Sequence, residues 1–167
     1  MELNEFKGNM KVVLGIVISE KVFKVIDEND NRYAKGREAL DKCWVWVEDR
    51  EIGGDDLYEI IDNAECTGIS EFSEKENHLN IARVWSLLVD TVAYTSWAAY
   101  MKENAKYLPQ MLDGIEEESI IGLIESALET RFISQEEVNI IMKQVFQYFK
   151  LAMGNSVDKK EIMKNII

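Results

Sequence analysis

Residues 79–101 read LNIARVWSLLVDTVAYTSWAAYM. Apolar side chains recur there at three- and four-residue spacing and do not alternate, so the stretch reads as a helix. Ile81, Trp85, Leu88, Val92 and Ala99 lie along one side, with Ala82, Val89, Ala93 and Tyr100 beside them. A helix apolar over so much of its circumference is buried among others. Its polar positions are ordered as well: Arg83, Ser86 and Asp90 share a narrow stripe that continues as Tyr94, Trp97 and Met101. The span is either a central core helix or a helix whose second half offers aromatic side chains to a partner.

Before this stretch, residues 66–77 are small and polar and read as a loop, in which Ser73 and Glu76 have the spacing of a capping box that would launch the helix. Further upstream, Leu57, Ile60, Ile61 and Ala64 form the inward stripe of a helix opened by Asp55, Asp56 and Glu59, carboxylates that suit a positive N-terminal end. Gly53 and Gly54 supply the loop before it, and Gly36, Leu40, Cys43, Trp44 and Val47 give a helix over 33–47. The first segment is ambiguous. Met10 to Ile26 fits a helical face, yet VVLGIVI at 12–18 is β-branched and centred on Gly15, as a buried strand would be. Helix is preferred because the pattern runs on through SEKVFKVI without a turn.

After the central stretch, Pro109 marks a connector or first turn, and Ile120 to Leu128 a helix. Ser134 with Glu137 is the best start signal in the chain, followed by Val138, Ile141, Met142, Val145, Phe149 and Ala152 and a stop at Gly154. A short helix closes the chain after Ser156. The expectation is an all-α protein: an irregular bundle of six or seven helices in one domain spanning 1–167. The alternative is α+β with an N-terminal strand.

With 31 acidic against 19 Lys and Arg side chains, the net charge is -12. Such a surface is a poor partner for nucleic acid or an anionic membrane, because phosphate binding depends on Lys and Arg. The central helix is too often interrupted by polar residues to span a membrane. Cys43 and Cys66 form no CxxC pair, and no leader pattern begins the chain, which points to a reducing, cytoplasmic location.

Chemistry finds no constellation. His78 is the sole histidine, so neither an HExxH motif nor the paired Glu-x-x-His sets of a di-iron bundle can be built. No nucleophile elbow or phosphate-cradling glycine pattern occurs. No metal, cofactor or catalytic residue is expected, and the chain reads as a binding protein and not an enzyme. Two acidic tracts stand out. One is Glu48, Asp49, Glu51, Asp55, Asp56, Glu59, Asp62 and Glu65, opposed by Arg50; the other is Asp113 with Glu116, Glu117 and Glu118. They are either solvated faces that keep the protein soluble or an electronegative docking face for a Lys/Arg-rich protein. Trp44, Trp85 and Tyr94 read as core, whereas Trp46, Trp97 and Tyr107 fit their helical faces less well and are candidate anchors. The partner-binding candidates are therefore Trp46, Glu48, Asp49, Asp55, Asp56, Asp62 and Trp97.

The succession ALDKCWVWVED (39–49), DDLYEIIDNAE (55–65) and AYTSWAAY (93–100) resembles the all-helical bacterial immunity proteins of polymorphic toxin systems, and within them immunity protein family six. The resemblance covers residues 5 to 130 roughly, and Leu151 to Ile167 lies outside it. It implies that Trp44, Glu48, Asp62, Glu65 and Trp97 shape the fold or a partner face. It also implies a small antidote that binds and neutralises a cognate toxin domain. The other functional readings are a non-catalytic adaptor or regulatory scaffold and, third, an uncharacterised enzyme.

Overall fold

In the computed structural model, which describes residues 1–48, 51–154 and 156–166, the ambiguous first segment is α1, Asn9–Phe23. Its ambiguity has a physical cause. α1 packs against helices on several sides, so nearly every position from Lys11 to Phe23 is buried and the usual apolar-polar periodicity disappears. A helix buried all round and a buried strand then share one composition, and only length separates them.

The described residues form seven further α-helices and no strand: α2 Tyr33–Glu48, α3 Gly54–Ile61, α4 Ser70–Lys75, α5 Leu79–Lys102, α6 Ile120–Glu129, α7 Gln135–Ala152 and α8 Lys159–Asn165. Three short 3-10 turns, at Leu3–Glu5, Gln110–Leu112 and Glu117–Ser119, join them. The result is an all-α, irregular bundle. α5 packs against α1, α2, α3, α4 and α6, while α7 lies on α1. Trp44, Trp85, Leu88, Val92, Val13, Val17 and Leu40 meet in one continuous core.

The extra helix is α4, which occupies the stretch expected to be a loop. Ser73 is inside it and does not cap α5; its hydroxyl donates to the carbonyl of Ala82 and pairs with the Ser86 hydroxyl. The cap of α5 is His78, whose Nδ1 accepts the Ile81 N–H at 3.4 Å. The capping-box spacing at 73–76 was thus used to seat α4 on α5. At Ser134 the box forms as expected, with Glu137 N–H donating to the Ser134 hydroxyl and Ser134 N–H to the Glu137 carboxylate.

Three polar side chains on α1 are buried with partners. Lys11 donates to Glu117 at 3.0 Å, Ser19 pairs with Thr91, and Glu20 accepts from Arg37 and from Trp44 Nε1 at 2.9 Å. Gly36 permits close approach of α2, since a Cβ there would lie 2.6 Å from the Phe23 ring and 2.9 Å from Trp85. Cys43 is buried, and desolvation pushes its thiol up to about 12 despite a hydrogen bond with Thr95 that acts the other way. It is an inert core thiol. No helix among the described residues is long and apolar enough to cross a membrane.

Candidate functional site

The C-terminal half of α5 is where the polar stripe meets the surface. Asp90 and Met101 are exposed, Trp97 is half-buried, and Tyr94 is buried beside Trp97 with ring centroids 5.5 Å apart. Tyr107, in the connection after α5, is 79% exposed. α5 is thus a core helix along most of its length, with Trp97 half-buried and Met101 exposed near its C-terminal end.

One flank is built by α3. Its first turn abuts the Tyr100 ring so closely that a Cβ at Gly54 would lie 2.6 Å from it. Ser96 donates to the Gly54 carbonyl at 2.8 Å, and Gly54 N–H donates to Glu103 at 2.8 Å. The Tyr100 hydroxyl donates to Asp55. These contacts fix Asp55 and Glu103 against the end of α5. Burial, the Asp55 hydrogen bond and the charges of Asp55 and Glu103 raise the Tyr100 hydroxyl well above the usual phenol range, so it stays a neutral donor.

The opposite flank is the 3-10 turn at Glu117–Ser119. The Tyr94 hydroxyl donates to the Glu117 carbonyl at 2.9 Å, while the Glu117 carboxylate takes the Lys11 ammonium. Burial first, then Glu117 and Glu118, keeps Tyr94 protonated. Glu116 and Glu118 remain exposed. Beside this turn runs a groove of about 260 Å³ between α5 and α6, lined by Asp90, Ala93, Tyr94, Ile115, Leu123 and Ser126. Asp55 and Glu117, distant in sequence, thus flank one aromatic stripe through their bonds to Tyr100 and Tyr94.

The residues expected from sequence divide accordingly. Asp55 and Trp97 belong to this face. Asp56 is exposed on α3, accepts the Gly53 N–H at 2.8 Å and lines a separate groove between α2 and α3 with Glu59 and Glu65. Lys35 and Lys42, each paired with Glu38, form that groove's other wall, so its charge is mixed. Asp62 is exposed at the C-terminal end of α3. Glu48 faces α8, where its carboxylate accepts the Lys159 N–H at 3.2 Å. Asp49 lies outside the described residues. Trp46, expected to anchor a partner, is 3% exposed and part of the core. α2 packs against α1, α3 and α5, and so buries a wider arc than one three-and-four stripe. Sequence reasoning missed Glu103, Ile115 and Ser126, which carry no local signal and reach the face only through packing.

Asp90 faces water, and its carboxylate accepts from Ser126 of α6, whose hydroxyl donates at 2.9 Å. The side chain is accessible to water, yet the neighbouring groove removes part of its hydration, which raises its carboxyl above the usual range while the Ser126 bond opposes the rise. Among the described residues no group of three His, Cys, Asp or Glu side chains could hold a metal.

Neither the curated proteins nor the solved structures compared with the chain include a match. The family model described as Immunity protein Imm6 matches residues 10–130, a span that takes in α1 to α6 with both flanks of the face, and the chain belongs to that immunity-protein family.

Proposed function

We propose that this immunity protein neutralises a cognate toxin domain by binding it directly, through the C-terminal half of α5 and the carboxylates on either side. The observation that supports the proposal is that Asp55 and Glu103 on one side and the Glu117–Ser119 turn on the other flank a partly exposed stripe at Tyr94, Trp97 and Met101. Aromatic side chains are common energetic anchors at interfaces, and a carboxylate rim raises the rate of encounter with a basic partner. The toxin domain's contacting surface is accordingly Lys- and Arg-rich.

The test is to seek, among the neighbouring genes, a secreted protein with a variable C-terminal domain and to express that domain with and without this chain. Co-expression should rescue growth, and the two proteins should co-purify stoichiometrically. Trp97→Ala should weaken binding by about 2 kcal/mol, chiefly through faster dissociation. Glu118→Lys should weaken it modestly, by slowing association, and added salt should act in the same direction. Binding that ignores salt, Trp97→Ala and charge reversal at Asp55 and Glu118 would retain the antidote and reject this face. A folded chain that neither binds nor protects would favour an adaptor role.

A further inference from the structure

The groove between α5 and α6 carries an exposed carboxylate, Asp90. Among the described residues Asp90 accepts a hydrogen bond from Ser126 and forms no ion pair. Arg83, two turns earlier on the same stripe, directs its guanidinium to the Glu129 carbonyl at 3.1 Å. The lining joins the apolar side chains of Ala93, Ile115 and Leu123 and the aromatic Tyr94 to the hydroxyls of Ser119 and Ser126.

Gly122 is the second observation. It lies on the exposed side of α6 and lines the same groove, and a Cβ built on it would meet nothing within 4 Å. Internal packing therefore gives no reason for glycine at a helical position, where it is the poorest choice after proline. A longer side chain there would project into open space beside the groove. The volume, about 260 Å³, falls below the roughly 300–1,000 Å³ of pockets for drug-sized molecules. It suits one long side chain. Lysine and arginine combine an apolar stem with a charged head, and an aromatic face beside the stem adds attraction for the cation.

We propose that this groove receives a single lysine or arginine side chain of the bound toxin domain, its cation on Asp90 and its methylenes against Ala93, Ile115 and Leu123. The proposal rests on the toxin-binding reading above and names the contact that would discriminate one toxin from another. Asp90→Asn keeps an acceptor for Ser126 but removes the charge; Gly122→Leu sets a larger side chain, that of a good helix former, beside the groove. Both variants should melt no lower than the unsubstituted chain, and each should bind the toxin domain that the unsubstituted chain neutralises at least tenfold more weakly. Alanine scanning of the toxin's lysines and arginines, repeated against Asp90→Asn, should identify one cation whose removal no longer weakens binding in that background. That position also tells lysine from arginine. If both variants fold and bind as the unsubstituted chain does, or no toxin cation couples to Asp90, the groove proposal is overturned while direct toxin binding stands. If the unsubstituted chain does not bind the toxin, both proposals fall.

Discussion

Glu20 shows what a buried charge requires in this protein. Its side chain is 2% exposed on α1, and its two oxygens accept from the Arg37 guanidinium and from Trp44 Nε1. Arg37 also reaches Asp41, which in turn takes Lys159 at 2.9 Å, so the network runs from α1 through α2 to α8. Removing the acid strands a buried indole donor and leaves the Arg37 guanidinium with Asp41 alone. Glu20→Leu should cost about 3 kcal/mol in chemical denaturation, a loss set by the partners left behind and not by poor packing of leucine. A value near zero would mean that water replaces the carboxylate. Asp90 has the opposite balance. Its raised carboxyl favours the protonated folded state, so its contribution to stability declines as pH rises through the folded value. A residue held at such a disadvantage is a candidate for service at an interface.

At the level of the element, helix ends decide where segments stop and what they touch. Ser134 and Glu137 satisfy each other's backbone donors at the start of α7, and Ser134→Ala should destabilise the protein by about 1 kcal/mol, read from the denaturation midpoint. Arg32 performs a longer-range fastening: it pairs with Asp30 beside α2 and with Glu76 just after α4. The Arg32 hydrogen bond holds Asp30 below its ordinary value of 3.8, and the His78 N–H together with Arg32 holds Glu76 below 4.5. Folded protein therefore binds fewer protons than unfolded chain between the ordinary and the lowered values. The stabilisation is complete above 4.5 and fades as pH falls through the lowered values. Comparing thermal melts of the unsubstituted protein and Arg32→Ala across that range should show the gap between them closing with acid. A constant gap would mean that Arg32 acts through its packing on Trp85, 5.2 Å from the ring centroid, and not through its carboxylates.

Across the whole molecule, charge is unevenly distributed. Residues 135–167 contain four acidic and five basic side chains, so the acidic surplus belongs to the preceding part of the chain. The family match at 10–130 falls on that same part. α7 completes the core against α1, and α8 is held to α2 through Glu48 and Asp41. In the proposed complex the molecule would therefore approach a basic partner with α3, α5 and the 3-10 turn at Glu117–Ser119 foremost. Its α7–α8 side would be turned away. Long-range orientation of this kind weakens once ionic strength shortens the screening length to about 8–10 Å.

The helical class, the spans of α2 and α5, the cap at Ser134 and the stripe from Asp90 to Met101 were all legible in the residues. These follow from side-chain period and from hydrogen bonds within three or four residues, which are local physics. The helical reading of residues 10–26, favoured over a strand, holds as α1, whereas packing alone fixed that residues 70–75 fold as α4, that Trp46 is core and that Glu48 serves α8. Tertiary packing also brought Asp55 and Glu117 to opposite sides of Trp97's stripe. Each of those outcomes depends on which face of a helix a distant segment covers, and a period read along one helix carries no record of its neighbours.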